Sequence, residues 1–136
     1  MKKDKKEGFT LVELMLVVII ISVLAAMVIP RLTGRSEEAK RGVAKADIEV
    51  NLATALKLYE LDNGKFPSSL DALTTNPGSS EAPSWKGPYI EKKALDPWGR
   101  PYNYKFPGTR RSHDYDLSSL GRDGVESQDD VVNWDQ

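Results

Sequence analysis

Phe9-Thr10-Leu11-Val12-Glu13-Leu14-Met15-Leu16-Val17-Val18-Ile19-Ile20-Ile21-Ser22-Val23-Leu24-Ala25-Ala26-Met27-Val28-Ile29 is an apolar run that follows a lysine-rich start and ends at Pro30. At about 1.5 Å per residue, roughly 21 residues of helix span about 30 Å, the hydrocarbon thickness of a bilayer. Glu13 is the only ionisable side chain in the run. Thr10 and Ser22 can return their hydroxyls to helix carbonyls, but a carboxylate has no comparable local remedy. Its charge costs about 2.5 to 3.5 kcal/mol at mid-membrane and less near the interface. The residues alone leave two readings open: Glu13 snorkels to the headgroups, or a cation from elsewhere pairs with it.

Outward from this run, 136 residues with 29% charged and 40% hydrophobic residues fit one small domain plus a membrane segment. There is no cysteine, so neither a disulfide nor a thiolate metal site is available. A net charge of -1 gives no support for nucleic-acid binding, and Arg110-Arg111 is too short for a basic patch. The charge is unevenly distributed. Lys2, Lys3, Lys5 and Lys6 crowd the start, whereas Asp114 to Gln136 is acidic with Arg122 as its single cation. The basic leader predicts a cytoplasmic N-terminus and a domain on the other side of the membrane. Ala25-Ala26-Met27 matches a secretory cleavage site poorly.

The conspicuous boundary lies before the apolar run. Lys5-Lys6-Glu7-Gly8-Phe9-Thr10-Leu11-Val12-Glu13-Leu14 closely resembles the processing site of type IV prepilins and type II secretion pseudopilins, which a membrane aspartic peptidase cuts after the glycine. The resemblance implies that residues 1–8 are a cleaved leader, Phe9 the N-methylated new terminus and residues 9–29 the transmembrane assembly helix. Residues 30–136 then form a periplasmic domain anchored in the bacterial inner membrane. It also supplies the missing cation, because in that family the glutamate is thought to pair with the terminal amine of a neighbouring subunit. Two charges paired in low dielectric offset a desolvation cost that either would bear alone.

Past Pro30 and Gly34 the pattern predicts a kinked continuation of the helix. From Ser36 to Leu61, Ala39, Val43, Ala46, Val50, Ala53 and Leu56, joined by Ile48, Leu52 and Tyr59, form an apolar stripe at helical spacing. This stripe is expected to pack on its own domain. Asp62-Asn63-Gly64 is a helix stop, and Ser68-Ser69-Leu70-Asp71 resembles a capping box opening a short helix to about Thr74. A turn at Asp96-Pro97-Trp98-Gly99-Arg100-Pro101 precedes Tyr102, Tyr104 and Phe106 in strand alternation, with a second strand near Tyr115 and Leu117. The expected fold is α+β: a long kinked helix on a small antiparallel sheet. Tyr89-Ile90, Asp96 to Tyr102 and Tyr115 to Gly124 recur in this order in pseudopilins of the major class, so the resemblance runs almost to the C-terminus and implies a type IV pilin-like fold.

Leu120-Gly121-Arg122-Asp123-Gly124-Val125-Glu126-Ser127-Gln128-Asp129-Asp130 is too polar for a core strand. By composition it is either a solvated acidic loop or an oxygen-donor site for a hard cation, and its spacing is not that of an EF-hand. The family carries calcium in the corresponding loop. The resemblance therefore implies carboxylates from Asp123 and Asp130 and carbonyls from Leu120 and Val125, extended by Ser127 and Asp129, with Glu126 in solvent.

Catalysis has little to build on, since His113 is the single histidine and lies in a turn without a nucleophile motif. Trp85, Trp98 and Trp134 are expected to fill the core in preference to a sugar platform. The resemblance thus implies a non-enzymatic structural subunit of the type II secretion pseudopilus, a helical homopolymer that helps move folded proteins across the outer membrane. Its implied partners are minor pseudopilins, the inner-membrane assembly platform, prepilin peptidase and the membrane. A type IV pilin or minor pseudopilin is the nearest alternative. A membrane-anchored calcium-dependent binding module is a reading of another class.

Overall fold

The computed structural model describes residues 8–135, with backbone alone for residues 29–33. The leader before Gly8 lies outside the described residues. Helix α1 spans Leu11–Ala46 and continues through Pro30 and Gly34. Within it, Leu11–Val28 is long and apolar enough to cross a membrane and none of it is buried within the chain. Ser22 Oγ donates to the Val18 carbonyl at 2.7 Å, the back-bond expected of a hydroxyl in an apolar helix.

A second compact unit begins at Glu37. Its helical part is the end of α1, a π-helical turn at Asp47–Asn51, and helix α2 at Leu52–Asn63. Helix α2 stops at Gly64, which takes a left-handed φ of 76° and donates to the Glu60 carbonyl at 2.7 Å. Ala44, Ile48, Leu52, Ala55, Leu56 and Tyr59 form the buried face. Burying each large member contributes roughly 1.5 to 3 kcal/mol.

This corrects the expected stripe: Val43 and Val50 are 54% and 58% exposed, and Ala39 and Ala46 also face outward. Two apolar rows share the helix, and the row with Ile48 and Tyr59 meets the sheet. Ser68 does not cap the next helix either. Its N–H and hydroxyl both donate to Glu81 Oε1, at 3.0 and 2.6 Å, and the expected helix is a single 3-10 turn at Leu70–Leu73.

The sheet has the antiparallel order β1 (Asn103–Lys105), β2 (Asp116–Ser119), β3 (Val131–Val132). Tyr104 faces Leu117 across the first pair, and Ser119 faces Val131 across the second. Beyond β3, Asn133 continues the ladder with its side chain: Oδ1 accepts from Leu117 N–H at 2.9 Å and Nδ2 donates to the Tyr115 carbonyl at 3.0 Å. Helix and sheet are tied by Tyr102, whose hydroxyl donates to Asp47 Oδ2 in the π-turn at 2.8 Å. Phe66, Tyr115 and Phe106 pack edge to face beneath them. Trp85 and Trp98 border this core half-buried, each with its indole N–H satisfied, while Trp134 lies under the Arg110 guanidinium.

At the start of β2, Asp116 accepts three backbone N–H groups from the preceding loop, those of Thr109, Arg110 and Arg111. Burial pushes its carboxyl up, but these donors outweigh it and hold the group below the usual carboxylate value. His113 lies exposed in this turn.

Candidate functional site

Two sites emerge, one at the head of the apolar helix and one in the acidic C-terminal stretch. At the head of α1, Thr10 and Glu13 form a reciprocal cap. Thr10 N–H and Oγ1 both donate to Glu13 Oε2, at 2.9 and 3.0 Å, while Glu13 N–H donates back to Thr10 Oγ1 at 3.2 Å. This is the capping box of a helix start, and the Thr-x-x-Glu spacing that signals it is printed in the chain. The Thr10 hydroxyl therefore serves the carboxylate and not a helix carbonyl. Phe9, 88% exposed, stands immediately before this cap with Gly8 beside it.

The second site is the loop between β2 and β3, built on the Asp96 turn. Asp96 is 5% exposed and fully engaged. Its Oδ1 accepts from the N–H groups of Trp98 and Arg100, at 3.1 and 2.8 Å, and its Oδ2 accepts from Ser119 Oγ at 2.7 Å. Ser119 Oγ in turn accepts the Gly121 N–H at 3.2 Å. The Trp98 indole donates to Glu37 Oε2 at 3.0 Å, so the turn also touches α1 within the same unit.

Above this base, the Ser127 hydroxyl lies between the Asp123 and Asp129 carboxylates, its one proton within reach of either. Asp123 Oδ1 also accepts the Val125 N–H at 3.1 Å. The Leu120 carbonyl accepts the Gly124 N–H at 3.3 Å. Asp129 lies against the bare α-carbon of Gly121, where a Cβ would come within 3.0 Å of Oδ2. Asp130 carries a buried Oδ1 with no hydrogen-bond partner. Burial pushes its carboxyl up, a Ser127 N–H opposes this, and Asp129, Asp123 and Glu126 push it further up by repulsion. Glu126 and Val125 are exposed.

All donors are hard oxygens, and the orphaned, repelled Asp130 oxygen fits a divalent cation of calcium's type. Among the described residues, however, no group of three or more acidic or histidine side chains is gathered closely enough to form a metal cage. The loop thus joins Asp123, Ser127 and Asp129 through side-chain hydrogen bonds, while Asp130 meets Ser127 only through the backbone.

An unburied apolar helix that begins at a capped glutamate beside a Gly-Phe junction, followed by a small α+β domain, defines a membrane-anchored pilin-like subunit. The family model described as "Prokaryotic N-terminal methylation motif" matches residues 3–29, and that described as "Type II secretion system (T2SS), protein G" matches residues 31–134. The chain is 44% identical over 144 residues to a type II secretion system core protein G from Pseudomonas aeruginosa, covering 99% of each. It is 42% identical over 143 residues to the Escherichia coli counterpart, covering 96% of this chain and 92% of the other. The crystal structure of the major pseudopilin from enterohaemorrhagic Escherichia coli is similar, with a TM-score of 0.65 and 33% identity over 76% of this chain and 89% of that one. The chain belongs to the type II secretion system protein G family, the major pseudopilins, and is a structural subunit of the pseudopilus.

Proposed function

We propose that the chain is cut after Gly8 by a prepilin peptidase, methylated at Phe9, and held N-terminus inward in the inner membrane with residues 30–136 in the periplasm. Subunits then leave the bilayer to build a helical homopolymer, with contact to minor pseudopilins and the inner-membrane assembly platform. Growth of this filament does mechanical work on folded proteins bound for an outer-membrane channel, and the subunit itself catalyses nothing. The observation that carries this reading is the position of Glu13, one helical turn from the Gly8-Phe9 junction at the head of an unpartnered apolar helix. Cleavage creates an amine in that zone, and Glu13 of an incoming subunit pairs with the terminal amine of a neighbour. Removing one member of a buried pair of this kind costs about 3 to 5 kcal/mol. The chain expressed with a prepilin peptidase is expected to give filaments and an N-methylated Phe9 by mass spectrometry, while Glu13→Ala gives the processed terminus without filaments. Normal assembly of Glu13→Ala would overturn the pairing.

Within the same reading, Asp123, Asp130 and the carbonyls of Leu120 and Val125, extended by Ser127 and Asp129, hold calcium. The bound ion would supply positive charge against the mutual repulsion of the acids and order the loop as a surface between subunits. The orphaned oxygen of Asp130 supports this ligand. Calorimetric titration with calcium is expected to show binding to the wild type and loss in Asp123→Ala and Asp130→Ala. Unchanged affinity in both refutes the assignment.

A further inference from the structure

Arg100 occupies an unusual place for a cation in a turn. Its guanidinium reaches under the acidic loop and donates through Nη2 to the carbonyls of Gly121 and Arg122, the latter at 3.1 Å. Room for it is made by Gly124, which has a φ of 73° and whose missing Cβ would stand 2.6 Å from Arg100 Nη1. The backbone N–H of the same arginine is fixed by Asp96, which also receives the Ser119 hydroxyl that accepts the Gly121 N–H. Arg100 is therefore held at its root by the carboxylate that indirectly fixes the start of the loop, and its head holds the next two carbonyls.

We infer that Arg100 is an internal cation that clamps the Gly121–Gly124 turn from below, so that this end of the acidic loop is ordered by the chain itself and not by a divalent ion. Two features support a clamp over a passing surface contact. A charged donor shared by two carbonyls makes stronger hydrogen bonds than a neutral one, and its planar head restricts their direction. The carbonyls it holds, of Gly121 and Arg122, lie in sequence between those of Leu120 and Val125, which are assigned to calcium above. The clamp and the metal thus address different oxygens of one loop. To the extent that calcium binds there, which rests on the reading under Proposed function, Arg100 is a positioning residue: it sets the backbone before the ion arrives and lowers the ordering cost of binding.

The test is amide hydrogen exchange, read by mass spectrometry on the full chain in detergent micelles, first in EGTA and then in calcium chloride. In EGTA the wild type is expected to protect the Gly121 and Gly124 amides. Arg100→Ala should exchange at least about tenfold faster there, the loss equivalent to one charge-assisted hydrogen bond, with β2 amides such as Leu117 unchanged. Arg100→Lys, which keeps the charge and loses the planar guanidinium whose Nη2 serves both carbonyls, should fall between them. Calcium should restore part of the protection in Arg100→Ala, at a calcium affinity weaker than that of the wild type. Equal protection of the loop in all three proteins in EGTA overturns the clamp, as does acceleration in both variants that is no greater at Gly121 and Gly124 than at Leu117. Absence of calcium binding by the wild type would overturn the metal assignment alone, since the EGTA comparison judges Arg100 without it.

Discussion

Ser119, wholly buried in β2, donates its hydroxyl to Asp96 Oδ2 across 23 positions of sequence at 2.7 Å. The pair closes a buried polar network in which each carboxylate oxygen of Asp96 has a donor, and it joins the turn before β1 to the root of the acidic loop.

Asp96→Ala should therefore be much worse than Ser119→Ala. The first strands two backbone N–H groups and a buried hydroxyl, a loss of about 3 kcal/mol. The second removes one donor and one acceptor, about 1 to 2 kcal/mol. Urea denaturation followed by circular dichroism checks both, and a double variant that costs less than the sum reports their coupling.

The tyrosines give a pH dependence. Tyr59, Tyr89, Tyr102, Tyr104 and Tyr115 are all of this chain's tyrosines, and burial pushes each phenol above its ordinary value of 10.0. A raised phenol pKa favours the neutral form in the fold. The stability it contributes is thus intact below about pH 10 and declines as pH climbs from there towards the folded values. At about pH 10.5 the native protein should show less phenolate absorbance than the urea-unfolded chain, and the missing part of the band should appear together with loss of structure. Gradual phenolate formation with circular dichroism unchanged would contradict this.

Glu13→Gln separates the helix cap that Glu13 forms with Thr10 from the pairing with a neighbour's amine proposed for it. Glutamine can still accept from Thr10 as the last member of a capping box, so the helix start survives, but it brings no charge to a neighbour's amine. It should match the wild type in membrane insertion and processing and fail in filament formation, with Glu13→Ala additionally losing the cap, worth about 1 kcal/mol. Filaments of wild-type abundance from Glu13→Gln would show that hydrogen bonding, and not charge, is what assembly needs.

Asp130→Asn should move stability in opposite directions with and without calcium. A carboxyl whose pKa is raised in the fold contributes stability below its unfolded value, near 3.8, and loses that contribution as pH rises through the folded value. At neutral pH the ionised group is a net cost to the ion-free chain. The asparagine variant should therefore be slightly more stable than the wild type in chelator, by up to about 0.5 kcal/mol, and should lack the rise in melting temperature with calcium that the proposed site predicts for the wild type. A thermal melt of each protein with and without the ion decides it.

Much of this architecture is legible in the residues because it is written in local chemistry. The apolar run, the stop at Gly64, the Asp96 turn and the strands near Tyr104 and Leu117 each carry a period or a turn residue that few other conformations satisfy. The buried face of the helix was harder to read, since Val43 and Val50 are as apolar as Ile48 and Leu52 and only packing against the sheet selects between the rows. Strand β3 is two residues long, below the length at which alternation is visible, and its continuation is an Asn133 side chain. For the acidic loop, the oxygen-rich donor chemistry is visible in its composition. The clamp by Arg100 is not, because it depends on a left-handed Gly124 and on a turn more than twenty residues away in the chain.

The short sheet has one more consequence. Its outer strands are three and two residues long, and where β3 ends the Asn133 side chain takes over pairing with the central strand, meeting Leu117 N–H and the Tyr115 carbonyl. Exposed edges invite strand addition, and a molecule concentrated on a membrane in order to polymerise is more vulnerable to that accident than most. Edges this brief give an incoming strand only two or three residues to pair with, so the sheet is a poor template for unwanted strand addition.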